Sequence, residues 1–247
     1  MAQESSKSAP LTTELKSHGV ILGAFTAFLW GVHLVNAVIF QGHLSALGVA
    51  PRTLHGLVGI LFAPFLHGSF SHIASNTLPL LVLGWFVMLR RKRDLLYVSA
   101  LSALVGGLGT WLIGPSASVH VGASVLIFGY LGYLLARGLF ERKFWPIMGS
   151  LAVFFLYGGA LFGVLPGEVG ISWQSHLFGL LGGVGAARLL ARPRGKDEPT
   201  APSVERSEPK KLRVEPAVRV PAAAPRAPLD DDTDEELEAL RRRVGRR

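Results

Sequence analysis

Residues Leu78–Gly114 read LPLLVLGWFVMLRRKRDLLYVSALSALVGGLGTWLIG, two apolar runs separated by Arg90, Arg91, Lys92, Arg93 and Asp94. A helix rises about 1.5 Å per residue, so about 20 apolar residues cross a hydrocarbon core of about 30 Å. Outward from this pair, six such runs can be marked: Val20–Phe40, His72–Leu89, Leu95–Ile113, Gly122–Ala136, Phe144–Val164 and Trp173–Ala191. The fourth is short unless it continues through Arg137 toward Phe140. The first exceeds the h-region of about 7–15 residues found in signal peptides and lacks a small-x-small site, so it reads as an uncleaved anchor.

Composition agrees. The chain of 247 residues is 49% hydrophobic and 17% charged, with a mean hydropathy of +0.39. Residues 1–191 hold only 11 Lys+Arg and 5 Asp+Glu, too few to cover a soluble globule, whereas residues 192–247 hold 14 and 12. A single soluble domain is excluded. The absence of cysteine excludes disulfides, thiolate metal sites and a cysteine nucleophile. A pI of about 10.2 does not argue for nucleic acid, because the cations of the apolar part form short clusters between runs.

Those clusters alternate. Arg90–Arg93, then Arg137, Arg142 and Lys143, then Arg188, Arg192 and Arg194 mark every second connection, whereas the others carry only Arg52 and Glu168. The positive-inside rule then puts both termini in the cytoplasm. The expected architecture is an all-α polytopic membrane protein. It comprises a polar cytoplasmic segment (1–17), a six-helix membrane domain (18–191) and a disordered cytoplasmic tail (192–247). Pro193–Pro228 holds 8 of the 15 prolines, a mixture unable to bury a core. At the tail's end, Thr233 with Glu236 fits a capping box and Leu237, Leu240 and Val244 recur at helical spacing. A short helix over 233–244 would either dock a partner or the anionic membrane surface, or stay frayed.

Polar residues within membrane spans are costly and commonly functional. The candidates are His33, His67, His72, Asn76, Ser124 and His176; no acid lies inside any apolar run. Carboxylate proton relays and cation sites therefore lose their usual ligands, which disfavours a transporter or channel. Ser124, His176, His72 and Asn76 all fall within about two turns of the expected outer face. A hydroxyl, an imidazole and an amide at one level are the parts of a serine hydrolase. His176, Gly179 and Gly183 follow i, i+3, i+7, giving a glycine groove below the imidazole. Ser124, Phe128 and Gly132 follow i, i+4, i+8, a face expected to lie in that groove, with Phe128 supporting the imidazole plane. With no intramembrane carboxylate, the arrangement is a Ser–His dyad oriented by packing. His33 and His120 read as packing or loop residues, and His67 as a residue preceding its span. Glu168 reads as a solvated loop acid. A zinc site from His67, His72 and His176 lacks an i, i+4 histidine pair and a carboxylate, so no metal or cofactor is expected.

The segments His67-Gly-Ser-Phe-Ser-His72-Ile-Ala-Ser-Asn76, Gly122-Ala-Ser124-Val125-Leu-Ile-Phe128-Gly and Ser175-His176-Leu-Phe-Gly179 with Gly183 resemble the rhomboid family of intramembrane serine proteases, in the family's order on spans two, four and six. The resemblance covers roughly Val20–Ala191. It implies Ser124 as nucleophile, His176 as base and then acid, and His72 and Asn76 as oxyanion side chains beside the Ser124 backbone N–H. It also implies Phe128 as the ring stacked on the histidine, and Gly179 and Gly183 as the close helix contact. The implied substrates are membrane proteins whose unstable transmembrane helices are cut near the outer interface, and the implied location is a bacterial plasma membrane.

Two features depart from the family. Its Gly-x-Ser-Gly reads Gly122-Ala-Ser124-Val125 here, and its tryptophan-arginine motif is not visible in Gln41–Leu66. A position 125 that requires positive φ would strain valine severely; one that continues a helix costs only a few tenths of a kcal/mol, though the side chain then narrows substrate access. The helical case is favoured, and a pseudoprotease that binds transmembrane clients without cutting them is the alternative.

Overall fold

A computed structural model of the chain describes residues 11–167 and 170–191. Residues 1–10, Glu168 and the 192–247 tail with its expected 233–244 helix lie outside the described residues. Seven α-helices follow in order: α1 (Leu11–Val38), α2 (Leu54–Phe62), α3 (Phe70–Met88), α4 (Lys92–Ile113), α5 (Ser124–Glu141), α6 (Phe144–Tyr157) and α7 (Trp173–Leu190). Among the described residues, five helices are long and apolar enough to cross a membrane: α1, α3, α4, α5, and α6 with the tighter turn that prolongs it to Val164. The protein is thus a multi-pass membrane protein. The sixth expected run is also a continuous helix, α7, of the same 18 residues as α5; Gln174, Ser175, His176 and Arg188 make it less apolar than the five.

The helices outrun the apolar runs. α5 continues through Arg137 to Glu141, which settles the length of the fourth run. α4 begins at Lys92 and takes in Asp94, 1% exposed, so the expectation that no acid lies inside a span is corrected for the helix as it forms. Asp94 is tolerated because it is paired: Arg90 Nη1 lies 3.4 Å from its carboxylate and the Tyr133 hydroxyl donates to it at 3.2 Å. Glu141 is likewise held by Arg137 at 3.0 Å and Arg90 at 3.5 Å, and Arg90 also donates to the Leu190 carbonyl. Buried charges persist only when compensated in this way. The network ties one end of α4, α5 and α7 together.

One element was not expected. The connection Gln41–Ser71 contains α2, whose N-terminus is capped by the Thr53 side chain accepting from Gly56 N–H at 3.1 Å. At about 1.5 Å per residue α2 is too short to span, although Leu54, Val58 and Leu61 are exposed.

The centre of the bundle is α5: 72% of its span is buried, against 6% for the span of α6. It packs on α3, α4, α6 and, most extensively, α7. The α5–α7 seam is made by absent side chains. A Cβ on Gly183 would lie 1.8 Å from the Gly129 carbonyl oxygen, one on Gly179 2.5 Å from that of Val125, and one on Gly132 2.2 Å from that of Leu180. The groove of Gly179 and Gly183 is therefore real: the Val125 and Gly129 carbonyls enter it, and Gly132 of the expected Ser124–Phe128–Gly132 face meets α7 beside it at Leu180. Gly183→Ala should lower stability by about 1–3 kcal/mol, read as a lower unfolding midpoint in detergent. Gly149→Ala, whose new Cβ meets nothing within 4 Å, should not.

Candidate active site

Ser124 opens α5 at the end of a turn that only glycine permits. Gly122 has φ +128, and a Cβ there would lie 2.7 Å from both Cε1 and Nε2 of His72 and 3.6 Å from Ser124 Oγ. The His72 ring and the Ser124 hydroxyl thus flank one point. The turn is held from outside α5: Gly122 N–H donates to the Ala63 carbonyl at 2.9 Å, and Ala123 N–H to His67 Nε2 at 3.4 Å. No side chain caps α5, and among the described residues no acceptor takes the N–H of Ser124 or Val125. Unspent donors at a helix N-terminus, reinforced by the helix dipole, suit a developing negative charge.

His72 and Asn76 stand one turn apart on α3, whose start is fixed by the Ser69 side chain accepting from His72 N–H at 3.1 Å. Asn76 Nδ2 is buried with no hydrogen-bond partner among the described residues. Among the described residues, Thr26, Ser102 and the rings of His18, His33 and His67 also hold a buried atom without a partner; what sets Asn76 apart is that it lines the cleft with Ser124 and His176.

His176 lies in the first turn of α7, capped by Ser172. Its ring stacks on Phe128, with centroids 4.0 Å apart and planes 11° from parallel. Nδ1 lies 2.9 Å from the Gly163 carbonyl, which can only accept, so Nδ1 carries the proton and Nε2 keeps its lone pair. Sequence reasoning missed this carbonyl. The signal available was glycine itself: a Cβ at Gly163 would press on Phe128 Cζ at 3.0 Å and His176 Nδ1 at 3.3 Å.

Ser124, His176, His72 and Asn76 line one cleft of about 600 Å³. Gln174, 6% exposed, lines it too and was not singled out from the sequence. A larger cavity of about 800 Å³ between α1, α2 and α4 is almost wholly apolar and holds none of these groups. Val125 is an ordinary helical residue of α5 with no positive φ, so the strained alternative does not arise. The other histidines have structural surroundings. His33 is buried edge-on to Phe70, with ring centroids 4.5 Å apart, and His120, which also lines the cleft, pairs its backbone with Val49 and its ring with Ser118. Among the described residues no cluster of three or more His, Asp or Glu is arranged to hold a metal.

His67 is 1% exposed, and burial, with the His72 and His33 imidazoles beside it, pushes its pKa down to about 3. The native state then leaves it neutral where the unfolded chain, near 6.5, binds a proton, so stability falls as pH drops below 6.5 and continues to fall to about 3. Relative to His67→Gln, whose amide oxygen still accepts from Ala123, wild type should lose about 1.4 kcal/mol more per pH unit between about pH 6 and 4. Equal slopes in detergent unfolding titrations would contradict this.

Comparison with known proteins follows the same lines. Residues 54–193 match the family model described as "Rhomboid domain". An uncharacterized protein of Mycobacterium tuberculosis (strain H37Rv) is 44% identical over 186 residues, 72% of this chain and 77% of that protein. One of Mycobacterium leprae is 42% identical over 186 residues, 72% of this chain and 73% of its own. A Bacillus subtilis protein named "Putative rhomboid protease YdcA" is 35% identical over 122 residues, 48% of this chain and 59% of its own. A chain whose bundle brings these segments together, and of which more than half matches that model, belongs to the rhomboid family.

Proposed function

We propose that this protein is an intramembrane serine endopeptidase that cleaves transmembrane-helix substrates near the outer membrane interface. Ser124 is the nucleophile and His176 the base. The observation that carries the reading is the double constraint on His176, by the Phe128 ring and the Gly163 carbonyl, in the cleft that Ser124 also lines. His176 Nε2 takes the Ser124 proton as Oγ attacks the scissile carbonyl. The oxyanion receives the Ser124 N–H and the side chains of His72 and Asn76, and the imidazolium returns its proton to the leaving amine. Water, activated by the same nitrogen, then hydrolyses the acyl-enzyme. A carbonyl in place of a carboxylate as the partner of Nδ1 makes this a dyad.

The membrane domain spans six times, with α7 as the sixth span and both termini cytoplasmic. Gln174 and His176 line the cleft, which accounts for the lower hydropathy of α7. The pseudoprotease alternative was motivated by Val125, and a valine in regular helix supplies no motive for it.

A fluorophosphonate should label the detergent-purified protein at Ser124. Ser124→Ala should abolish labelling, His176→Ala should slow it at least 100-fold, and Asn76→Ala should slow cleavage of a model transmembrane substrate about 10²-fold. A wild-type protein that neither labels nor cleaves would overturn the enzyme reading. Orientation is testable because the chain has no cysteine. In intact cells, an impermeant maleimide should modify Val119→Cys and spare Lys143→Cys; the opposite pattern would reverse the topology.

A further inference from the structure

Val125, the one departure in the nucleophile's motif, occupies a specific place. It is 6% exposed and lies outside the lining of the 600 Å³ cleft, although with Gly122, Ser124 and Ser175 it lines a small adjoining pocket of about 20 Å³. Its Cγ2 instead enters a notch on α4. A Cβ on Gly106 would lie 2.2 Å from Val125 Cγ2, and 3.2 and 3.3 Å from Gly179 N and Cα. From the α7 side, a Cβ on Gly179 would lie 2.5 Å from the Val125 carbonyl oxygen and 3.1 Å from Val125 Cγ2. Three backbones converge here, and of the three residues that meet only Val125 has a side chain.

The junction lies next to the reacting groups. Val125 follows Ser124 directly, and Gly179 is one turn beyond His176. α7 is clamped to α4 on either side of it: on one, Ser175 Oγ and Thr110 Oγ1 are 2.8 Å apart and the Phe178 ring covers Gly109, where a Cβ would lie 2.0 Å from Phe178 Cγ; on the other, a Cβ on Gly182 would lie 2.8 Å from Ser102 Cα. With α7 fixed on α4, the position of α5 against both depends on how deeply Val125 seats in the Gly106 notch. No side chain on Gly106 or Gly179 can take up slack.

We infer that Val125 is a positioning residue for the Ser124–His176 pair, a wedge that seats in the Gly106 notch of α4 and sets the spacing of α5 from α7 at the level of the two side chains. The assignment of the pair as reacting groups rests on the function proposed above; the wedge itself is a statement about helix spacing. A methyl added at Gly106 drives the wedge out and separates Ser124 from His176. Combining Gly106→Ala with Val125→Ala, which removes the Cγ2 that the new methyl meets along with Cγ1, lets the two helices approach again.

The test uses the full-length, detergent-purified protein, with labelling rates expressed per folded molecule. Gly106→Ala should slow fluorophosphonate labelling about 10- to 100-fold and flatten its pH profile, since the displaced imidazole no longer takes the proton. The Gly106→Ala/Val125→Ala double variant should return to within about threefold of wild type. Where Gly106→Ala does not fold, Val125→Ala alone should slow labelling about 10-fold, and Val125→Thr, which keeps the branch, should not. Independently of chemistry, spin labels on cysteines introduced at Val119 and Ile171, across the cleft mouth, should report a longer or broader distance in Gly106→Ala that recovers in the double variant. An unchanged spin-label distance overturns the wedge whether or not the protein labels. A wild type that fails to label, with the distance shifting as expected, overturns the hydrolase reading alone. A fall in unfolding midpoint with labelling per folded molecule and pH profile both unchanged reduces Val125 to ordinary packing and also overturns the proposal.

Discussion

The contact on which the rest of the molecule depends is the approach of two backbones, α5 and α7, with carbonyl oxygens of one lying against α-carbons of the other. Gly183 over Gly129, Gly179 over Val125 and Gly132 under Leu180 bring the helices closer than any side chain would allow. In lipid, burying apolar surface between helices gains little, because the tails solvate leucine as well as another helix does. Association must then come from close packing, and glycine maximises it. Ser124 and His176 lie at one end of this seam, so a contact that holds the bundle together also sets the geometry of the cleft.

The two ends of α5 treat polar groups in opposite ways. At the Glu141 end the charges are consumed: Arg90, Asp94, Arg137 and Glu141 answer one another, and the Tyr133 hydroxyl donates to the same Asp94 oxygen that faces Arg90. At the Ser124 end donors are left over, among them Asn76 Nδ2 and the N–H groups of Ser124 and Val125. Unspent donors lower the stability of the resting state and become useful only when negative charge arrives, which is the requirement for stabilising an oxyanion.

Much of this was legible because membrane solvation simplifies the reading. Every span must satisfy its own backbone, so length and hydropathy suffice to find the helices, and basic clusters mark their ends. The limits are equally physical. Asp94 and Glu141 fell outside the apolar runs because hydropathy ends where charge begins, while helical hydrogen bonding continues through any residue whose charge is paired. α2 was missed because nine apolar residues in a connection carry no period that distinguishes a short embedded helix from a loop. The spacing found Phe128 and Gly132, which meet His176 and Leu180 of α7, but not the Val125 and Gly129 carbonyls that enter the Gly179–Gly183 groove, because backbone oxygens leave no mark in side-chain periodicity. The Gly163 carbonyl left only the glycine as an indirect mark: a backbone acceptor has no letter, and only the fold reveals which carbonyl faces an imidazole.

On the function proposed above, that carbonyl also bears on why a dyad would suit this setting. A carboxylate behind His176 would be a buried charge, and the desolvation cost of an ion in a protein interior is several kcal/mol unless a partner and further hydrogen bonds compensate it. Asp94 shows what compensation requires here, an arginine and a tyrosine, and no cation lines the cleft. The Gly163 carbonyl fixes the tautomer and the Phe128 ring fixes the plane, and neither introduces a charge. What is given up is the ion-pair stabilisation of the imidazolium that forms during proton transfer; a dipole at 2.9 Å replaces part of it. The exchange favours a resting state that is cheap to bury over a faster proton transfer. It leaves precise placement of Ser124 against His176 as the main resource for lowering the barrier, which is why the packing beneath them carries so much of the design.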